Sequence, residues 1–122
     1  MLTRGIRGAI TAHANTRDAI FDATRELLDA IVRANQVCVD DIASVIFTVT
    51  PDIDAAFPAG AARTLGWDRV PLLDERAPHV PSDLPRCIRV LVHWNTDRAQ
   101  HEITHVYLRD AQKLRPDLAT GK

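Results

Sequence analysis

A chain of 122 residues with 46% apolar and 25% charged side chains has the make-up of one ordinary globular domain, which excludes the disordered and fibrous classes. Its net charge of −1 excludes the broad basic surface that phosphate-mediated nucleic-acid binding needs, although Arg far outnumbers Lys and local Arg clusters are open to it. Cys38 and Cys87 have neither the number nor the spacing of a disulfide framework or zinc site, the first residues lack a secretory apolar core, and no run approaches the length of a membrane span, so a reduced, cytoplasmic protein is expected.

Residues 2–11 are predicted to form a first strand with Ile6 and Ile10 on one face and Arg7 on the other. Gly5 and Gly8 flank Arg7 and leave open space in which a bulky anion can approach it, although a solvent-facing Arg on a glycine-rich edge reads the same way in isolation. Asn15 and Thr16 offer N-caps. The run from there to Ala34 carries Ile20, Phe21, Leu27, Leu28, Ile31 and Val32 on one stripe with Thr24 between them, predicting a long amphipathic helix packed on the sheet. Arg17, Asp22, Arg25, Glu26, Asp29 and Arg33 form its solvated face. Asn35-Gln36 ends it, and residues 39–42 suggest a short helical turn.

The β-branched stretch 43–50 predicts a buried second strand, stopped by Thr50-Pro51-Asp52. Pro58 suits the first turn of a second helix holding Ala61, Ala62 and Leu65, whose small residues would permit close packing, including against another subunit. Gly66-Trp67 ends that helix, and residues 69–74 predict a third, short strand. Residues 74–86, which include Pro78, Pro81 and Pro85, predict a rigid connection.

That connection leads into residues 85–96, in which Ile88, Val90, Val92 and Trp94 alternate with Cys87, Arg89, Leu91 and His93 as a central strand requires. A guanidinium cannot shed its charge, so a half-buried Arg89 needs an anionic or hydrogen-bonding partner, either a ligand or a structural ion pair. After a turn at 95–100, residues 103–108 predict the last strand, with Tyr107 on the face of Ile103 and His105. Residues 110–122 form a tail in which Leu114, Arg115, Pro116, Asp117 and Leu118 can fold over a neighbouring site. The fold class is thus α+β: a mixed sheet with one long amphipathic helix and short helices, in a single domain spanning residues 1–122.

Together, Arg4-Gly-Ile-Arg-Gly-Ala9, Thr50-Pro-Asp52 with Phe57-Pro58-Ala59, Cys87-Ile-Arg-Val90, His105-Val-Tyr-Leu108 and Leu114-Arg-Pro-Asp-Leu118 resemble the AroH-class chorismate mutases, in register over nearly the whole chain. The resemblance implies a trimer of the chorismate-mutase/imine-deaminase kind, a pseudo α/β barrel. It further implies conversion of chorismate to prephenate, a step of aromatic amino acid biosynthesis, at sites between adjacent subunits of a homotrimer. By position it implies that Arg7, Arg89 and Tyr107 hold the substrate carboxylates, with Arg89 also reaching the ether oxygen. Phe57 and Arg63 would come from the neighbouring subunit, and Leu114 and Arg115 would close the entrance.

One departure from the family pattern stands out. The glutamate that the family usually places after the third strand, against the substrate's ring hydroxyl, aligns with Ala77, and the position where a cysteine often lines the same pocket holds Asp74. Asp74 is therefore expected to supply the carboxylate. Glu75 is the weaker candidate, because in an extended chain it points to the opposite face.

The implied rearrangement breaks a carbon–oxygen bond as a carbon–carbon bond forms, with no nucleophile, metal or cofactor. Accordingly, the chain carries no glycine-rich phosphate loop, no metal-spaced His/Cys cluster and no nucleophile elbow. Two alternatives stay open at this point. One is a module that binds a chorismate-like diacid without turnover, which Ala77 favours, and the other is a reactive-imine deaminase on the same scaffold. His13, His79, His93, His101 and His105 are too scattered for a ligand set and read as structural or surface residues, and Trp67 and Trp94 read as packing aromatics.

Overall fold

The computed structural model describes residues 1–118. Five strands, β1 (Leu2–Thr11), β2 (Ile42–Val49), β3 (Leu72–Arg76), β4 (Cys87–Thr96) and β5 (Val106–Tyr107), form one mixed sheet in the order β3-β2-β4-β1-β5. β4 is the centre, antiparallel to both β1 and β2, while β3 and β5 join the outer edges in parallel. The α+β class expected from the sequence is therefore what is found. Residues 119–122 of the predicted tail lie outside the described residues.

One face of the sheet is covered by α1 (Arg17–Asn35), which packs Ile20, Leu27, Leu28 and Ile31 against Ile6, Ile10, Val45, Phe47, Ile88 and Val92. Each of these is essentially removed from water, and a fully buried side chain of this size is worth about 1.5–3 kcal/mol. The helix starts where Thr16 accepts a hydrogen bond from the Ala19 amide at 3.1 Å and stops where Gln36 takes a left-handed conformation at φ 57°. Gly8 sets how near it comes. A Cβ there would lie 2.8 Å from Ile31 and 3.1 Å from Leu27 and Val90, so the glycine serves helix packing, while its backbone also lines the cavity beside Arg7.

α2 (Pro58–Thr64) starts at Pro58 as expected and rests on the same helix layer, with Gly60 over the Phe21 ring and Ala61 and Ala62 fully buried. Its small residues thus allow close packing on α1 of the same chain. The start of β3 and the length of β5 also differ from expectation. Pairing of β3 begins only at Pro71, whose carbonyl accepts from Val45, because Val70 turns back to Trp67. β5 is cut to two residues because side chains take over the ladder before it: Asn35 exchanges two hydrogen bonds with the Thr104 backbone at 2.8 and 2.9 Å, and His105 accepts from the Arg7 amide at 2.9 Å.

Behind β5, 3₁₀ turns at Arg109–Lys113 and Pro116–Leu118 carry the tail across the open face of the sheet. A small second core of Ala9, Cys87, Tyr107 and Ala111, with Leu84 and Leu114 packed on it, holds them there. Arg109 adds hydrogen bonds to the Thr11 carbonyl at 2.9 Å and to Glu26 at 2.8 Å.

Candidate active site

Strand register decides which side chains meet. Glu75, Thr48, Arg89, Ala9 and Tyr107 are successive partners across β3, β2, β4, β1 and β5, so they form one row on the sheet face opposite α1. Arg7 lies two residues along β1 on that same face. Ala9, the smallest member of the row, leaves a floor between Arg89 and Tyr107. Above it is a cavity of about 290 Å³ to which Arg7, Arg89, Tyr107, Leu114 and Arg115 all contribute.

Three guanidinium groups, those of Arg7, Arg89 and Arg115, line the cavity, and the last two are each paired with an acid. Arg7 is exposed, Arg89 is half-buried and Tyr107 is 6% exposed, so the ring is fixed while the arginines reach water. Arg115 is forked with Asp117, at 3.2 and 2.9 Å. His105 sits beside this group with Nδ1 committed to the Arg7 amide, which leaves its proton on Nε2. Burial, then the charges of Arg7 and Arg115, hold its pKa below the ordinary histidine value. Cys87 lies at the back of the site with its thiol pushed up to about 11 by burial, so it is no nucleophile at neutral pH.

Sequence reasoning missed the partner of Arg89. Asp83 meets it fork to fork, Oδ1 to Nη2 at 3.0 Å and Oδ2 to Nη1 at 3.4 Å, with side-chain exposures of 17% and 32%. An acid held between Pro81 and Pro85, in the rigid segment feeding the Arg89 strand, was the signal that could have found it.

The remaining expected site residues gather elsewhere. Asp74 pairs in register with Phe47, so it points to the helix side of the sheet, where Oδ1 accepts from the Ala59 amide at 3.1 Å. Phe57, 72% exposed, shares with it a second cavity of about 390 Å³, and Arg63 is exposed near the far end of α2. Burial raises the Asp74 carboxyl above the usual carboxylate range, while the Ala59 hydrogen bond and the Arg63 charge pull it back. Within one copy, Asp74, Phe57 and Arg63 do not reach the cavity of Arg7 and Arg89. Glu75 faces the Arg89 side but is exposed, with β2 lying between their two strands. Ala77 is buried, and its amide donates to the Val49 carbonyl. Among the described residues no cluster of His, Cys, Asp and Glu could hold a metal ion.

The sequence matches the family model described as chorismate mutase type I over residues 3–118. It is 54% identical over 122 residues to the chorismate mutase AroH of Thermus thermophilus, spanning 99% of this chain and 100% of that one. Identity to the chorismate mutase AroH of Bacillus subtilis (strain 168) is 41% over 123 residues, spanning 100% of this chain and 97% of that one. A solved structure, the chorismate mutase from Clostridium thermocellum Cth-682, superposes with a TM-score of 0.88 at 48% identity, over 89% of this chain and 97% of that one.

Proposed function

Since the chain belongs to the type I chorismate mutase family and is a chorismate mutase, we propose that the arginine-lined cavity of one copy binds the chorismate dianion and that a neighbouring copy in a homotrimer completes the site. With that activity in place, neither the diacid-binding module nor the imine deaminase is retained. The observation that carries the proposal is the convergence of Arg7, Arg89, Tyr107 and Arg115 on one cavity of one sheet face. Two carboxylates on a small molecule need several donors, and forked guanidinium groups supply them with defined direction.

The rearrangement is unimolecular: the ether carbon–oxygen bond breaks as the new carbon–carbon bond forms, and no proton moves. Two things lower its barrier, a folded-back substrate conformer and positive charge where the ether oxygen becomes negative. Arg7, Tyr107 and Arg115 hold the carboxylates and so select the conformer. Arg89, fixed on the central strand, faces the oxygen. Leu114 and Arg115 cover the entrance from the tail. Phe57 and Arg63 of the neighbouring copy close the other side, and Asp74 of that copy accepts the ring hydroxyl's hydrogen bond in place of the acid absent at Ala77. The exposure of Phe57 and Leu73 and the two separate half-sites on each chain support a head-to-tail contact that closes into a ring. Cytoplasmic location fits the free thiols of Cys38 and Cys87, and no helix among the described residues is long and apolar enough to cross a membrane.

Loss of chorismate absorbance on adding the purified protein, with prephenate identified as product, tests the activity; Arg89→Lys tests the assignment. Lysine keeps the charge and loses the fork, so turnover should fall by about 10²–10³. Turnover near wild type in that variant would remove Arg89 from the mechanism.

A further inference from the structure

Asp83 is a charged group at the site to which the rearrangement assigns no task. It does not line the cavity shared by Arg7, Arg89 and Arg115. Instead it lines a neighbouring one of about 390 Å³, beside Asp52 and Leu84, and meets the Arg89 guanidinium from outside the site. Both of its oxygens are engaged with Nη1 and Nη2, so one edge of the guanidinium is spent on Asp83. Nε has no partner among the described residues, and the other N–H groups of Nη1 and Nη2 remain to be offered to a ligand.

The acid is itself held in place. Its Oδ1 also accepts from the Leu84 amide at 2.8 Å, its own amide donates to the Val80 carbonyl at 2.9 Å, and Leu84 packs on the small core beneath Tyr107. Pro81 and Pro85 restrict the segment on both sides. A counter-ion that substrate must displace would lie in the cavity on a loose side chain, whereas this one lines the neighbouring cavity and is fixed by its own turn.

We infer that Asp83 is a positioning residue for the reaction: a proline-bounded turn holds it against the Nη1–Nη2 edge of the Arg89 guanidinium, and it thereby sets the direction in which Nε and the remaining N–H groups meet the reacting oxygen. An arginine on a flexible stem, left to itself, samples many rotamers, and a misplacement of about 1 Å can cost on the order of 10²-fold in rate. Fixing it in advance removes that cost from the catalytic step. The inference rests on the role proposed for Arg89.

The experiment is steady-state turnover of chorismate by the full chain carrying Asp83→Asn, Asp83→Glu, Arg89→Lys or Asp83→Asn with Arg89→Lys. Asp83→Asn should lower kcat by about tenfold to a hundredfold, with KM within about twofold and Tm near wild type. Asp83→Glu should recover part of the loss, and in the Arg89→Lys background Asp83→Asn should cost less than about twofold, because the group it aims is gone. Unchanged kcat with a lowered KM would overturn the inference and make Asp83 a competing counter-ion. An undiminished Asp83→Asn effect on top of Arg89→Lys would also overturn it, by showing that Asp83 acts independently. Wild-type turnover in Arg89→Lys alone would instead sink the role of Arg89, and the inference with it.

Discussion

Asp74 and Arg89 lie on opposite faces of the same sheet: Asp74 is paired with Phe47 and bound to the start of α2, while Arg89 is paired with Thr48 and Ala9 above the arginine-lined cavity. One copy therefore cannot bring this acid and this arginine to one substrate. If both act on chorismate, they belong to different copies.

Asp74→Asn separates activity from stability. Burial disfavours the charged form of Asp74, so its folded pKa is raised, and the ionised acid is a destabilising element at neutral pH that weakens as pH falls. Asparagine keeps an oxygen for the Ala59 amide without that penalty. Turnover should fall while Tm holds or rises, and Glu75→Gln should do less damage to turnover. Chorismate assays and thermal melts on the two variants check this, and the reverse order of activity would move the role to Glu75.

His105 should impose acid sensitivity. Its folded pKa lies below the ordinary 6.5, so the unfolded chain takes up its proton first as pH falls. The stability it contributes is present above 6.5 and is lost as pH falls through the folded value, when protonated Nδ1 can no longer accept from the Arg7 amide. Melting temperatures between pH about 7 and about 5 should drop more steeply for wild type than for His105→Ala. Parallel curves would show that this bond carries no such dependence.

At Gly8 the prediction concerns packing. An added methyl would push against Ile31, Leu27 and Val90 together, and although the end of Ile31 can give, the set of three cannot give freely. Gly8→Ala should cost about 1–2 kcal/mol in chemical denaturation. An unchanged midpoint would mean that α1 shifts at no cost.

Arg109 anchors the base of the tail through Thr11 and Glu26, in a left-handed conformation at φ 54°. Both partners of the ion pair are partly exposed, so Arg109→Ala should lose only about 1 kcal/mol. Its larger effect should be on KM, because Leu114 and Arg115 follow directly on this turn. Equal KM in wild type and variant would separate the anchor from the site.

Most of the fold was legible because it is written in local patterns: the alternation about Arg89, the Thr16 cap, Pro58 at the start of α2 and the β-branched run of β2. What escaped was set by contacts between distant residues. The last strand is short because Asn35 and His105 reach in from elsewhere, and the faces of Asp74 and Glu75 followed from register with β2 and from where α2 begins. Period-two reasoning put those two acids on opposite faces but could not say which face held Arg89. The histidine read as bland turned out to bond the Arg7 amide, a pairing that spans most of the chain.

Mixing two defective chains tests the shared site most directly. Arg89→Ala and Arg63→Ala should each be nearly inactive alone, since each damages a different half. Co-expressed in equal amounts and purified together, they should recover about a quarter of the wild-type sites, because each interface draws one half from each of two chains at random. Activity of the mixture that never exceeds the mean of the two variants measured alone would contradict a site built from two copies.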